Sequence, residues 1–353
     1  MKVWTALSLG LTATLCVLAD CARAQDPVFS QHTASPVYAN PALAGLYEGE
    51  LRLIANYRDQ WGSVFGSDPI RTFAASAELR YNTGGKDYVA VSATALQDQG
   101  GVSAFRTTRA GVGLAVQKYL DGGRGRNATY LGFGARVGFG QQAFDPSKLW
   151  YSSNFDSTTV TVNPGQGADG LAPGFVGQTR VYLDITGGLN LSVVRRDYSF
   201  VAGISAHHIN SPEISFVFDD ETRLDARYSA MVGGEYLIED ELRLMPSATF
   251  ELQGQMQRLT TGAALYYKPD SRGDAGFRAG LYGRLTNQYE GGMGMESIIV
   301  AGAVEINRMT IGMSYDINVG DLGRTTDGRG AYELSLAWTR EGKSRYDVIC
   351  PKL

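Results

Sequence analysis

Few side chains in this sequence have the chemistry of a nucleophile or a general base. Histidine occurs three times, as His32 and as the adjacent pair His207 and His208. Ser205 precedes His207 by two positions, and in an extended chain this spacing places both side chains on one face, where a hydroxyl and an imidazole can meet. Because no orienting acid and no oxyanion donor is evident, the pattern favours structural polar residues over a hydrolase.

Metal-binding and cofactor-binding patterns are equally sparse. Asp316 and Asn318 share one strand face, as do Asp184 and Asn190, and their oxygens would suit Ca²⁺, but no dense loop motif accompanies them. There is no CxxC spacing, and no glycine-rich phosphate loop runs from a strand into a helix. We therefore predict no metal, no cofactor and no enzymatic activity.

The first residues have the composition of an export signal. Lys2 supplies a positive charge, an apolar stretch covers residues 3–18, and residues 22–24 read Ala-Arg-Ala, which suits signal peptidase. We predict a signal peptide over residues 1–24 and a mature chain that starts at Gln25. Lipoprotein processing at Cys21 is the alternative.

Composition excludes several classes of protein. The formal net charge is −4 and no basic run occurs, which argues against nucleic acid as a partner. The predicted mature chain has no apolar run near the ~20 residues of a transmembrane helix. Its single cysteine, Cys350, permits no internal disulfide. It is either a reactive or pairing thiol or an inert tail residue, and we favour the inert residue. The 44 Gly and 19 Tyr fit a β-rich chain.

Strict alternation of apolar and polar residues is the dominant pattern. It runs through residues 130–139, 180–193, 223–236, 241–253 and 309–318. A side-chain period of two is that of a β-strand, and several stretches are longer than the roughly 3–10 residues of a globular strand. The polar face carries Arg, Asp and Glu, which suits a hydrogen-bonded lumen inside a lipid-facing wall. A secreted β-helix or sandwich is the alternative.

The pattern yields fourteen candidate strands, near residues 49–58, 70–82, 87–97, 104–119, 127–141, 178–195, 197–209, 222–237, 241–254, 257–268, 274–287, 296–306, 308–318 and 330–340. An even number is expected of a bacterial single-chain barrel with both termini in the periplasm. Every second connection is short and the others are mostly longer, which is the expected asymmetry between periplasmic turns and outer loops.

These observations predict an all-β protein, a transmembrane antiparallel β-barrel of about 14 strands in the cell outer membrane. The barrel is expected to cover residues 49–340. A periplasmic or plug-like N-terminal segment, residues 25–48, precedes it, and a periplasmic C-terminal tail, residues 341–353, follows it. Outer-membrane lipid is then an obligatory partner.

The longest connection, residues 142–177, contains clustered aromatic residues at Trp150, Tyr151 and Phe155. A loop of this length is usually either functional or disordered. Because binding residues concentrate on loops, we expect these three aromatic residues to contact a partner.

Charged residues of both signs are expected to face the lumen. Interspersed charges either line an open pore or neutralise one another in a filled lumen, so an outer-membrane channel or porin-like solute transporter is the alternative function. The arginines are Arg109, Arg136, Arg180, Arg223, Arg227, Arg243, Arg278 and Arg284, and the acids are Glu78, Asp184, Asp225, Glu235 and Glu251.

Short motifs occur near both ends of the chain. Residues 25–31 read QDPVFSQ, residues 35–45 read SPVYANPALAG and residues 57–61 read YRDQW, while residues 312–318 read GMSYDIN and residues 332–336 read YELSL. These motifs resemble those of the PorP/SprF family of type IX secretion and gliding-machinery proteins. The motif residues are Phe29, Ser30, Gln31, Asn40, Pro41, Ala44, Gly45, Tyr57, Arg58, Trp61, Tyr315 and Asp316.

The resemblance implies a fourteen-stranded outer-membrane barrel with a partner role. It implies secretion and surface anchoring of large adhesins or other cargo with a matching C-terminal domain, and links to periplasmic, peptidoglycan-associated type IX components. Asn40-Pro41 and Ala44-Gly45 are also turn signals. They would fold the N-terminal segment against the periplasmic mouth or into the lumen, or else form a simple loop into the barrel, and the sequence leaves these readings open.

Overall fold

The computed structural model describes residues 25–65, 68–83, 85–121, 127–149, 155–156, 159, 161–162, 177–217, 222–269, 275–288 and 291–341. The predicted signal peptide, Trp150, Tyr151 and the tail from residue 342 onward, with Cys350, lie outside the described residues.

Strands dominate the described chain. They are β1 (Leu51–Gln60), β2 (Ile70–Asn82), β3 (Tyr88–Gly100), β4 (Phe105–Asp121), β5 (Ala128–Ala143), β6 (Phe155–Asp156), β7 (Thr161–Val162), β8 (Tyr182–Val194), β9 (Tyr198–His207), β10 (Arg227–Glu239), β11 (Leu242–Gln253), β12 (Met256–Tyr267), β13 (Ala275–Asn287), β14 (Met293–Ile306), β15 (Met309–Asn318) and β16 (Arg329–Arg340). Short helical turns cover Pro36–Ala39, Gly62–Phe65 and Gly320–Thr326, and 3-10 turns cover His32–Ala34, Pro41–Leu43 and Pro146–Lys148.

Fourteen of these strands form one closed antiparallel barrel, whereas β6 and β7 pair only with each other in the longest connection. Strand β1 pairs with both β2 and β16, which closes the sheet. The predicted fourteen-stranded barrel is therefore confirmed. No helix in the described ranges is long and apolar enough to cross a membrane.

The wall presents its apolar residues outward, an orientation that alternation alone could not determine. Val112 and Met313 are each 63% exposed, as is typical of the outward positions along their strands. The alternate positions point into the barrel and include the fully buried carboxylates Glu78 and Glu333. Because exposed apolar side chains are stable in lipid and polar groups need partners there, this arrangement is that of a membrane-spanning wall.

The two ends of the barrel differ. At one end of the barrel the connections between strands are mostly short, for example residues 195–197 and 307–308, and we call this the short-turn end. The first residue of β1 and the last residue of β16 both lie there. The opposite, loop end carries the connections that include residues 144–181 and 208–226. Strand β10 begins five positions later than predicted because a bridge between Glu213 and Arg223 keeps that stretch in the loop.

The N-terminal segment, residues 25–48, lies inside the barrel as far as Tyr47, and the backbone of Glu50 already hydrogen-bonds to the wall at Arg340 and Arg80. Asp26 contacts Gln253, at the loop end of β11, and the chain then descends until β1 begins at the short-turn end. Val37 and residues 42–44 are completely buried. The segment's polar contacts reach wall residues all around the barrel, at Arg58, Glu78, Arg109, Gln117, Asn190, Ser205, Arg227, Gln253, Arg284, Asp316 and Glu333.

Candidate functional site

The Asn40-Pro41 motif fastens the N-terminal segment to the middle of the wall. Asn40 accepts a hydrogen bond from the backbone N–H of Ala42 at 2.9 Å and thereby caps the following 3-10 turn, where proline needs no N–H partner. The Asn40 amide also donates to the carbonyls of Leu189 and Ile204 at 2.9 and 3.1 Å. One side chain thus sets the turn and joins it to β8 and β9.

Inward-facing glycines make room for this turn. A Cβ atom on Gly134 would lie 2.3 Å from the backbone nitrogen of Ala42 and 2.5 Å from its Cα. A Cβ on Gly188 would lie 2.0 Å from the Asn40 Oδ1. Because the Ala42 backbone cannot rotate away, the segment's position depends on a wall without side chains there.

The Ala44-Gly45 motif makes the turn near the short-turn end. Gly45 has a φ of +80°, and a Cβ there would lie 2.6 Å from that of Ala90. Its N–H donates to Glu78 at 3.0 Å, and Glu78 also forms a two-point ion pair with Arg52 at 2.8 and 3.0 Å. Glycine is needed both for the left-handed backbone and for this close approach.

A buried cluster, which we call the motif network, brings together four motif residues that are far apart in sequence and Arg284, which belongs to no motif. The four motif residues are Ser30, Arg58, Asp316 and Glu333. Glu333 accepts hydrogen bonds from the backbone N–H groups of Ser30 and Gln31 at 2.7 and 3.0 Å. Ser30 donates to Asp316, and Arg58 and Arg284 each pair with Asp316 at 2.8 and 2.9 Å. The cluster therefore holds both the backbone and the hydroxyl of the segment.

A second cluster, the mouth network, surrounds Asp26 near the loop end and also comprises Arg109, Asp184, His208 and Arg227. Asp26 Oδ1 lies 2.6 Å from Arg109 Nη1, and its Oδ2 lies 2.8 Å from His208 Nε2 and 3.2 Å from Arg227 Nε. Burial alone would raise the pKa of Asp26, but these three cations outweigh it and hold the pKa well below its usual value.

His208 lies between two carboxylates. Its Nδ1 is 2.7 Å from Asp184 Oδ1 and its Nε2 is 2.8 Å from Asp26 Oδ2. Ionised carboxylates only accept hydrogen bonds, so both ring nitrogens carry protons and the ring is charged. Burial alone would lower the pKa of His208, yet Asp26 and Asp184 raise it above its usual value.

Raising the pH is therefore expected to loosen the first residues of the N-terminal segment. A raised pKa means that the stabilisation from His208 is complete below ~6.5 and is lost as the pH rises through the folded-state value. The depressed pKa of Asp26 adds stabilisation that is complete above ~3.9 and is lost only as the pH falls below that. Hydrogen exchange of residues 25–31, corrected for intrinsic rates, should be faster at about pH 9 than at about pH 5.5.

The substitution His208→Gln serves as the control for this pH dependence. Glutamine keeps polar contacts but does not titrate, so the exchange of residues 25–31 should lose most of its pH dependence. An unchanged profile in the variant would assign the pH response to another group.

Ser205 and His207 are in contact, as their spacing predicted, but their contacts bind the N-terminal segment at Ala39. Ser205 Oγ lies 3.1 Å from His207 Nε2 and donates to the carbonyl of Ala39 at 2.8 Å. His207 Nδ1 has no hydrogen-bond partner, so no acid orients the ring as catalysis would require. Among the described residues, no group of three His, Cys, Asp or Glu side chains could hold a metal ion.

The remaining predicted site residues lie in different places. Phe29 packs against Tyr38 within the lumen, with ring centroids 6.3 Å apart, whereas Tyr315 faces outward. Tyr57 packs against Tyr332, and the Trp61 backbone N–H donates to Gly330. Phe155 is 46% exposed at the loop end.

Sequence reasoning missed some partners and misplaced others. It placed Arg284 in the lumen but could not pair it with Ser30, because strand register far along the chain decides that contact. Arg180 and Arg223 were expected in the lumen but are exposed, since β8 and β10 begin beyond them, at Tyr182 and Arg227.

The fold and this interior define a membrane-spanning β-barrel that contains its own N-terminal segment. The chain belongs to the PorP/SprF family: residues 22–338 match the family described as type IX secretion system membrane protein PorP/SprF. This is a family of secretion membrane proteins and not an enzyme class.

Solved structures of other barrels show distant likeness. The toluene transporter TbuX of Ralstonia pickettii is 12% identical with a TM-score of 0.48, over 88% of this chain and 94% of that one. The CymD monoaromatic hydrocarbon channel is 11% identical with a TM-score of 0.46, over 90% and 94%. CdiB from Escherichia coli is 10% identical with a TM-score of 0.44, over 81% and 63%. No curated protein matches the sequence significantly.

Proposed function

We propose that this protein is an outer-membrane adaptor of the type IX secretion and gliding machinery. It helps to secrete large surface adhesins or other cargo with a matching C-terminal domain, and it anchors them through protein–protein contacts without covalent chemistry. The observation that carries the proposal is the lumen, which a family-motif segment of the chain occupies from the loop end to the short-turn end.

The occupied lumen favours an adaptor over the alternative of a porin-like channel. Its charges pair with one another or with the N-terminal segment, as in the contacts between Arg52 and Glu78 and between Arg58 and Asp316. Paired and buried charges offer little to a passing solute, because a permeating ion needs water or free charged groups along its path.

The proposed orientation places the short-turn end in the periplasm and the loop end outside the cell, after export by the signal peptide of residues 1–24. Both ends of the wall, residues 51 and 340, then face the periplasm, where the tail and short turns are available to peptidoglycan-associated components. Gln25, the predicted first residue of the mature chain, does not face the periplasm in this orientation, because it lies within the barrel near the outer mouth.

The longest loop is the proposed cargo contact, through Trp150, Tyr151 and Phe155. At its base, the ring of Phe216 packs against those of Phe105 and Phe144, with centroids 6.2 and 5.1 Å apart. The Phe144 N–H donates to the Gly177 carbonyl at 2.9 Å, so the two ends of the loop are adjacent.

Replacing residues 150–176 with a short Gly/Ser linker is therefore expected to leave the barrel folded and to weaken cargo retention about thirtyfold, because removing one binding hot spot costs about 2 kcal/mol. Surface-retained cargo is measured by quantitative immunoblot, and folding by the heat-modifiable gel shift. A matched linker in place of residues 289–291, another loop-end connection, is the control. Normal retention in a folded 150–176 variant would exclude this loop as the cargo site.

An affinity pull-down of the tagged protein from detergent-solubilised native outer membranes, read by mass spectrometry, tests the function itself. We expect a large adhesin-like protein together with secretion or peptidoglycan-linked components. Recovery of the folded barrel alone would support the channel.

A further inference from the structure

The wall around Asp26 carries more cations than anions. Arg109, Arg136, Arg227 and His208 face this site from β4, β5, β10 and the end of β9. The acidic residues of the wall near these cations are Asp98, Asp184 and Glu251. Glu251 is also paired with Arg258 at 3.3 Å. Without Asp26, the mouth network would be left with an excess of positive charge.

The contacts of Asp26 involve its backbone as well as its charge. The two carboxylate oxygens of Asp26 face three different cationic groups, at 2.6, 2.8 and 3.2 Å. The backbone N–H of the same residue donates to Gln253 Oε1 at 2.9 Å. A carboxylate with a peptide N–H beside it is the feature recognised, and this feature belongs to acidic peptides and to peptide C-termini.

The site has room and access. A cavity of about 80 Å³ borders Asp26, Arg109, Arg136 and Arg227, which is space for a small carboxylate or a few water molecules. Buried Ser35 also lines it, and the Ser35 hydroxyl has no hydrogen-bond partner. Gln25, the neighbour of Asp26, is exposed toward the loop end.

We propose that the mouth network is a carboxylate-binding site that Asp26 occupies in cis, and that an acidic extended peptide of a partner protein takes Asp26's place. The protein nature of the partner rests on the adaptor function proposed above, whereas the carboxylate site does not. Such an exchange would couple arrival of a peptide at the loop end to release of the N-terminal segment from Arg109, His208 and Arg227.

The test uses the purified full-length barrel with Asp26→Ala. Calorimetric titration with acetate and with acetamide measures whether the vacated site selects a carboxylate. We expect acetate to bind Asp26→Ala at least tenfold more tightly than acetamide does, and at least tenfold more tightly than it binds the wild type. Asp87→Ala, which removes a carboxylate paired with exposed Lys118 at the short-turn end, should behave as the wild type.

Two short peptides distinguish the sources of the carboxylate: one with a free C-terminus and no acidic side chain, and one amidated with an internal Asp. Tighter binding of the Asp peptide supports the proposed acidic peptide as partner. Selective binding of the peptide with the free C-terminus would refute it and identify a peptide C-terminus as the ligand. Equal affinities for acetate and acetamide in a barrel that keeps its heat-modifiable shift would overturn the site. If Asp26→Ala does not fold, Asp26→Gly, which also vacates the site, is titrated in the same way.

These outcomes are independent of cargo. Carboxylate binding by Asp26→Ala with no cargo in the pull-down would leave the site standing and refute the adaptor function. Recovery of cargo in the pull-down, with no preference of Asp26→Ala for acetate, would support the adaptor function and refute the carboxylate site.

Discussion

The substitution Gly134→Ala is expected to displace the N-terminal segment and to turn a closed barrel into a conducting one. The added Cβ would overlap the backbone of Ala42, and overpacking of this kind typically costs about 1–3 kcal/mol. The wall itself gains a residue that suits a strand better than glycine does. The strain therefore falls on the contact between segment and wall.

Planar bilayer recording of purified Gly134→Ala should show steady ionic conductance that the wild type lacks. Gly187→Ala is the matched control, because Gly187 lies on β8 and a Cβ there would meet only Ile209 at an ordinary 3.5 Å. A silent Gly134→Ala barrel with a normal heat-modifiable shift would mean that the segment adapts to the added methyl group.

The second large effect is expected from Arg58→Met. The Arg58 side chain is 3% exposed and pairs with Asp316 at 2.8 Å and Glu333 at 3.4 Å. Removing one partner of a buried ion pair typically costs about 3–5 kcal/mol, since the remaining charge keeps its desolvation penalty. Arg284 still neutralises Asp316, so most of the penalty falls on Glu333.

The temperature at which the folded gel band disappears measures this loss and should drop clearly for Arg58→Met. Arg71→Met is the control, because Arg71 also pairs with a carboxylate, that of Asp59 at 3.2 Å, but its side chain is 57% exposed and water screens the pair. Arg58→Lys should give an intermediate loss, as it keeps the charge without the two-point geometry. Equal transitions for Arg58→Met and Arg71→Met would show that the motif network contributes nothing to stability.

The sequence supported the prediction of the barrel because alternation is local and repeats along the chain. The strand pattern identified all fourteen strands, and the largest errors fell at loop-end boundaries such as the start of β10, where Arg223 pairs outside the barrel. Which face points inward was not determined by alternation, since both a soluble and a membrane barrel alternate. Strand length and the export signal were needed to choose.

The interior was much harder to predict. Ser30, Arg58 and Asp316 could be named individually from family motifs, yet nothing local indicates that they meet, because their contact depends on barrel closure and register. Gly134 lies two positions before Arg136, on the strand face that was expected to point into the lumen. That it makes room for Ala42 emerges only when the N-terminal segment is in place.

The N-terminal segment occupies the lumen, and the proposed adaptor function requires that it closes the barrel to ions. Single-channel recording of the purified, folded wild-type protein in a planar bilayer tests this closure. We predict no steady conductance at neutral pH. A stable, ohmic open pore in the wild type would contradict the proposed closure and establish the protein as a channel.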